Sequence, residues 1–400
     1  MLMLETGIQP SSNIGELSLS INAVASRLPE MGRQFALQFA RQRVEAFQEE
    51  FVQAVLGGLA ELVCEGCGVV HRGGPTILRR GSRARKLKTS SGVLEFALKQ
   101  LTCRDCRRTW SPFGRLLELQ PRQRIAEEFE RKLVELVTDM PYQKTCRLAE
   151  AWLGASLSPR TLHRCVQDRG SRVCFTPAMS AEVVEADGTK VPAGSSERGM
   201  EVRFSFQILG RHEEHGRAKV EKRLAGWGTG TGSWSDALPA GIASDVIITD
   251  RETGLPELLR ERFPTVRHQH CEWHLVHTLD HLLYLDGVKV KERRPFKEEL
   301  SRIVWGRSIT NRRERYRALC GRMSGYPKAH TMLTAAIENV LFEVPSPERT
   351  NSVIEREMRE INRRTDVGVR WSEQGVNNLL KLRAAKRINP DDFERVWSPL

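Results

Sequence analysis

The stretch "SDVIITDRETGLPELLRERFPTVRHQH", Ser244 to His270, decides the fold class. Val246, Ile247 and Ile248 form a continuous apolar run, the pattern of a strand covered on both faces. "GLPELLRERF" then reads as a crossover helix and "TVRHQH" as a second strand, giving a β-α-β unit with parallel pairing. The first strand stops on Asp250. A carboxylate there stands at the carboxyl edge of a parallel sheet, where helices begin and ligand crevices open.

Further strands precede this unit. "VVEADGTKV" carries Asp187 after Val183, Val184 and Ala186, and in "EVRFSFQIL" Val202, Phe204, Phe206 and Ile208 alternate with polar Arg203, Ser205 and Gln207. That alternation predicts a strand with one buried face. "RAKVEKRLAGWG" predicts another strand, and the glycine-rich "GWGTGTGSWSDALPAGIAS" a loop. From "CEWHLVHTLDHLLYL" to Val340 the chain reads as helix and loop, with Trp305 expected to pack in the core.

Asp187 and Asp250 on neighbouring strands would repel each other and lose solvation unless a cation lies between them. Mg²⁺ or Mn²⁺ fits, because a hard divalent ion takes oxygen ligands and keeps sites for phosphate and nucleophile. A third carboxylate is sought in "SPERTNSVIEREMREINRRT", a helix expected to start at Ser346-Pro347 with Ile354, Met358 and Ile361 as its apolar stripe. Glu355 flanks that stripe, whereas Glu357 is expected to point away from it at a helical rotation of about 100° per residue. The ordinary alternatives are a helix cap or strand end for each aspartate, and i,i+4 ion pairs of Glu355 with Arg359 and Glu360 with Arg364.

Composition narrows the partners. Lys and Arg total 62 against 50 acids, a net charge of +12 over 400 residues, which favours a polyanion such as nucleic acid. No run approaches the roughly 18 apolar residues of a membrane span, so a cytoplasmic protein without membrane contact is expected.

Four of the nine cysteines form two Cys-x-x-Cys pairs, Cys64/Cys67 and Cys103/Cys106. Two tight turns of this kind present four thiolates to one tetrahedral Zn²⁺, with a redox pair as the alternative. The segment between them holds few apolar residues, so its folding is expected to depend on metal. Its "LRRGSRARKLK" is expected to be a loop that brings Arg79, Arg80, Arg83, Arg85, Lys86 and Lys88 to DNA phosphate.

An amphipathic helix precedes this ribbon, with Phe35, Phe39, Val44, Phe47, Phe51 and Val55 at helical spacing. After it, two short helical runs flank Leu153-Gly154-Ala155, the second started by Ser158-Pro159. They suggest a helix-turn-helix that could lay Arg160, Thr161 and Arg164 in a major groove, or else a small bundle; either way Leu148, Ala149, Trp152, Leu157, Leu162 and Val166 are core candidates.

The order of Asp187, Asp250 in "ITDRETG", then "HQHCEWHLVH", a long helical stretch and "NSVIEREMREINRRT" resembles the Mutator-type DDE transposases of bacterial insertion sequences over about residues 180–385. "TSSGVLEFALKQLTCRDCRRTWSPF" is similar to the N-terminal part of related transposases. The resemblance implies an α/β core, RNase H-like, with a mixed sheet, flanking helices and an all-α insertion before the glutamate helix. It implies Asp187, Asp250 and Glu355 as the catalytic, metal-binding acids, and matches Cys271 and His274 to a family Cys-x-x-His signature of uncertain role. Ser352 and Met358 stand where asparagine is common in the family; in a displaced register Glu348 or Glu360 would be the third acid.

The expected organisation is therefore a helical region (1–60), a zinc ribbon (61–115), a helix-turn-helix-like segment (120–172), the first part of the core (180–285), an all-helical insertion (286–345), the helix of the third acid (346–385) and a tail (386–400). The expected activity is metal-dependent cleavage and strand transfer of DNA, acting on terminal inverted repeats and target DNA as a homodimer or larger assembly. Two other readings remain: a zinc-dependent DNA-binding regulator without catalysis, and a nuclease of the same fold.

Overall fold

A helix with apolar residues at helical spacing needs a surface to cover, and in the computed structural model that surface is a β-hairpin. The structure describes residues 21–197, 199–230, 233–250, 252, 254–305, 311–340, 349–366 and 370–398. They fall into two compact units, one of residues up to 133 with 141–162, the other of 134–140 with 163 onward.

In the first unit, α1 (Ile21–Leu56) is followed by the short β1 (Leu62–Val63) and β2 (Val70–His71), the hairpin strands β3 (Ile77–Thr89) and β4 (Gly92–Cys103), and β5 (Thr109–Trp110). Leu94, Phe96, Leu98 and Leu101 of β4 are buried with Val52 and Val55 of α1. The fully buried Gln48 fixes the helix to β4, donating to Ala97 O (2.9 Å) and accepting from Lys99 N (2.8 Å). Two expectations change here. The basic run is strand β3 and not a loop, because β4 supplies the hairpin's apolar face and strand pairing needs only the backbone of β3. The ribbon also does not lack a core, since α1 contributes to it.

Next come α2 (Phe113–Leu116), α3 (Glu127–Val137), α4 (Tyr142–Leu153) and α5 (Pro159–Ser171), with the division between units falling inside α3 and α5. Gly154 ends α4 in the left-handed conformation (φ 66°), and Ser158 Oγ accepts from Thr161 N at 3.2 Å, the cap expected of Ser158-Pro159. Ala149, Leu157, Leu162 and Val166 are buried. Trp152 is not core: it is 62% exposed in the last turn of α4.

The second unit is built on a five-stranded sheet. It contains β6 (Ala181–Val191), β7 (Met200–Glu214), β8 (Arg217–Thr229), a short α6 (Trp234–Ala237), β9 (Ser244–Thr249), α7 (Leu255–Arg262) and β10 (Arg267–His270). The strand order is β10-β9-β6-β7-β8, with β6, β7 and β8 antiparallel and β9 parallel to both β6 and β10. Val246 and Ile248 face one layer and Ile247 the other, as the unbroken apolar run requires.

β7 was expected to have a polar open face, yet Arg203, Ser205 and Gln207 are buried. The segment around α6 covers that face: Ser205 donates to Ala237 O, and a Cβ on Gly226 or Gly228 would lie 2.2 Å from Ala237 O or 2.0 Å from Ser233 O. The glycines of "GWG" thus continue β8 while letting another backbone cross it.

Among the described residues four α-helices follow: α8 (Glu272–Leu285), α9 (Val290–Trp305), α10 (Arg312–Arg322) and α11 (Pro327–Ala336), which share a core around Leu279, Leu300, Tyr316 and Leu333. Trp305, expected inside, is 46% exposed at the end of α9. The chain returns to the sheet with α12 (Ser352–Asn362), α13 (Glu373–Ile388) and α14 (Pro390–Arg395). The expected Ser346-Pro347 helix start lies outside the described residues.

Ile354, Met358 and Ile361 pack on the sheet as read from the sequence, but Glu357 does not point away. It is buried, with Lys222 Nζ at 2.7 Å and Arg387 Nη2 at 3.3 Å. Burial works against its charge, and these two cations hold its carboxyl below the usual range. The lateral position is covered because β8 and α13 pack beside α12. The expected Glu360–Arg364 pair is replaced by Glu360–Arg363 (2.7 Å), and buried Arg364 donates to Val137 O. Glu357→Ala should destabilise the protein by about 1–3 kcal/mol, the cost of leaving part-buried charges without a partner; urea midpoints should show this loss, and little change for half-buried Glu355→Ala.

Candidate active site and metal centre

The acid site lies where β9 stops and β6 continues. Ala186 pairs with Thr249, so Asp187 and Asp250 are the next residues on two adjacent parallel strands. Asp187 is therefore within β6 and not at its end. Both side chains leave the sheet on the face that carries Val183 and Ile248, toward α12. Burial, with the charge of Asp250 beside it, pushes Asp187 up to about 7, although Gly188 N donates to its Oδ1 at 2.7 Å. Burial raises Asp250 as well, with His274 opposing.

Glu355 comes from the first turn of α12 and His274 from the first turn of α8. Among the described residues, ligand atoms of Asp187, His274 and Glu355 lie within 4.8 Å of one another, a grouping able to hold a metal ion. His274 Nε2 is 3.6 Å from Glu355 Oε1. Of the alternative third acids, Glu360 is paired with Arg363, and Glu348 lies outside the described residues.

Three residues that sequence reading passed over or left open set the geometry. Glu185, fully buried two residues before Asp187, accepts from Ile354 N at 2.7 Å and so fixes the start of α12. Burial pushes its carboxyl up to about 7 despite the backbone N–H groups of Ile354 and Val353. Asn351, also fully buried, bridges the strands: its amide nitrogen lies 3.3 Å from Ala186 O, or, turned over, donates to Ile248 O and accepts from Asp250 N, each at 3.3 Å. Cys271 is a clasp. Its N–H donates to Thr249 O (2.8 Å) and its sulfur accepts from Asn351 N (3.4 Å), tying β9, α8 and α12 together next to Asp250. Burial pushes this thiol up to about 12, which keeps it a neutral packing group in the metal-free protein. The Cys-x-x-His spacing thus turns one residue into the joint and sends the other, one turn later, toward Glu355.

A cleft of about 490 Å³ opens beside Asp250 and is lined also by Glu252, His270 and His274; another, of about 510 Å³, lies against Gly188, Lys190, Arg203 and Asp250. The buried Asp250 Oδ1 has no hydrogen-bond partner among the described residues. The raised pKa of Asp187 and its close grouping with His274 and Glu355 form an oxygen-rich donor set whose chemistry fits a divalent cation, with the orphaned oxygen of Asp250 on the neighbouring strand.

The four cysteines of the first unit converge as expected. Cys64 Sγ is 3.6 Å from Cys106 Sγ, and Cys67 Sγ is 3.8 Å from Cys103 Sγ. Tetrahedral Zn–S bonds of about 2.3 Å place sulfurs about 3.8 Å apart. Each pair sits on a turn closed by backbone hydrogen bonds, with Gly68 (φ 74°) and Arg107 (φ 59°) taking the left-handed position after the second cysteine. Burial disfavours the Cys64 thiolate, but the N–H groups of Cys67 and Gly66 overcome this and bring it down to about 6.

Residues 241–386 match the model of the family described as Transposase, Mutator family. This segment is similar to Mutator-family transposases. The match supports a transposase function and includes Asp250, Cys271, His274 and Glu355, while Asp187 and the four cysteines precede it. A comparison with curated proteins finds no match to the chain. The matched segment thus contains the joint at Cys271 together with Asp250 and Glu355, while Asp187 comes from β6 outside it.

Two measurements follow from this geometry. The purified protein should contain about one Zn²⁺ per chain by elemental analysis, and Cys106→Ser should lose most of it. The raised pKa of Asp187 makes its protonated form the stable one. In the metal-free protein that contribution is complete below the ordinary aspartate range and is lost as pH rises through about 7. Millimolar Mg²⁺ should therefore raise Tm more at about pH 8 than at about pH 6; equal shifts would contradict cation binding at Asp187.

Proposed function

We propose that the chain is a DDE transposase with an RNase H-like core, in which Asp187, Asp250 and Glu355 hold Mg²⁺ or Mn²⁺ and DNA is cut and joined. The observation that carries this reading is the meeting of buried Asp187 with Glu355, delivered by α12, and His274, while half-buried Asp250 stands at the adjacent position of the neighbouring parallel strand. The strand order, with three antiparallel strands followed by two parallel to the first, also fits an RNase H-like sheet.

Bound divalent cations supply a more acidic attacking hydroxyl and charge stabilisation at the departing oxygen. The chain's own groups prepare for this. Asp187 and Asp250 give up their protons when a cation binds, and His274 keeps Glu355 turned toward them. Glu185 and Asn351 hold the start of α12 against β6 and β9, so the third carboxylate arrives preorganised. In cleavage, water oxygen bonds to phosphorus, the bond from phosphorus to the 3′-oxygen breaks, and a 3′-hydroxyl is left. In joining, that hydroxyl attacks a target phosphodiester and a new 3′-hydroxyl leaves.

Substrates are the terminal inverted repeats of an insertion sequence and a target DNA, with Zn²⁺ shaping the N-terminal unit and a dimer holding the two ends. Arg160 and Arg164, exposed one turn apart on α5, are suitably placed for DNA. With Mg²⁺ or Mn²⁺, labelled DNA from the borders of the gene and a target plasmid, the wild type should give joined product and Asp250→Asn none, while both bind the DNA ends alike. Binding without cleavage by the wild type would instead favour a regulator, and cleavage without joining a nuclease.

A further inference from the structure

The N-terminal unit precedes the family match, and it holds a strongly basic concavity distinct from the acid site. β3 is an edge strand of its sheet. After α2 the chain returns beside that edge: Lys88 N donates to Arg124 O (2.9 Å), Ala126 N donates to Lys88 O (2.9 Å), and Arg85 Nη2 donates to Gln123 O (3.1 Å). This strap forms the second wall of a groove of about 670 Å³. One wall presents Arg83, Arg85, Lys86 and Lys88, and the other Arg122 and Arg124.

The charges in the groove are not balanced. Glu95 is the only acid among its described lining residues, and it is already bound to Lys86 at 2.5 Å. Arg83, Arg122 and Arg124 have no side-chain hydrogen bond or ion pair among the described residues. Arg79, by contrast, is committed to Glu49 of α1 (2.5 Å) and lies outside the groove. Arg122 also holds a left-handed backbone (φ 63°), a conformation a non-glycine residue adopts at some cost. Guanidiniums kept together without acids, on a wall fixed by backbone pairing, form a track for a chain of phosphates.

The geometry points to the groove as a seat for the phosphodiester backbone of duplex DNA, with Arg122 and Arg124 contacting it together with the β3 cations. This rests on the transposase reading for the choice of DNA over other polyanions. Such contacts position the protein and carry no sequence information, so their loss weakens binding equally on all duplexes.

The test is DNA binding by the full-length, zinc-loaded protein without Mg²⁺, using fluorescence anisotropy at several salt concentrations. The probes are a duplex from the element end and an unrelated duplex of equal length. Each lost phosphate contact flattens the plot of log Kd against log salt by about 0.9. Arg122→Gln/Arg124→Gln should therefore flatten it by about 1.8 and raise Kd roughly tenfold or more on both duplexes. Arg122→Lys/Arg124→Lys keeps both charges and should restore the slope, which separates lost contact from a damaged strap.

An unchanged slope in the Gln variant, no recovery in the Lys variant, absence of wild-type binding, or preference for duplex RNA would overturn the proposal. The transposase reading is judged separately by joining. An unchanged slope beside normal joining removes the groove alone, and a flattened slope in a protein that never joins DNA supports the groove while removing that reading.

Discussion

Asp187 and Asp250 stand on adjacent parallel strands, Asp187 buried and Asp250 half-buried, and the charge of Asp250 makes ionisation of Asp187 less favourable. Much of the second unit serves to hold this arrangement. Two-sided cover of β6 and β9 buries Asp187, and α12 brings Glu355 to it beside His274. The start of α12 is fixed at three points, by Glu185 from β6, by the Asn351 amide between the strands, and by the Cys271 sulfur at the head of α8. A charge cluster of this kind is costly to bury alone and becomes useful once a divalent cation shares it.

The first unit solves a different problem. Its hairpin has one apolar face, covered by α1, and a basic edge that no internal acid neutralises over most of its length. The cysteine turns close the base of that hairpin, since Cys103 ends β4 and Cys64 follows β1. A tetrahedral metal there would fix the ends of the strands whose outer residues form the groove, linking zinc to surface geometry more than to the existence of a core.

Much of this was legible in the residues. The apolar run of β9 gave the parallel unit, the cysteine spacing gave the sulfur cluster, and Glu355 was separable from its neighbours by its place beside the stripe of α12. The failures have physical causes. Glu357 was read as outward because helical rotation shows where a residue points relative to its own stripe, but not that β8 and α13 bring Lys222 and Arg387 to meet it. The polar positions of β7 were read as solvated because an alternating pattern cannot reveal a segment passing close over Gly226 and Gly228. Trp152 and Trp305 were assigned to the core, yet both are at helix ends where side chains extend beyond the packed face. Glu185 gave no signal, since a buried acid that caps a distant helix has no local spacing to announce it.

The central claim is that Asp187, Asp250 and Glu355 share a divalent cation, and anomalous X-ray scattering from crystals of the protein grown with Mn²⁺ tests it most directly. The account predicts an anomalous peak within coordination distance of all three carboxylates, absent from Asp250→Asn crystals. Manganese bound elsewhere, with those carboxylates still close together and empty, would contradict it.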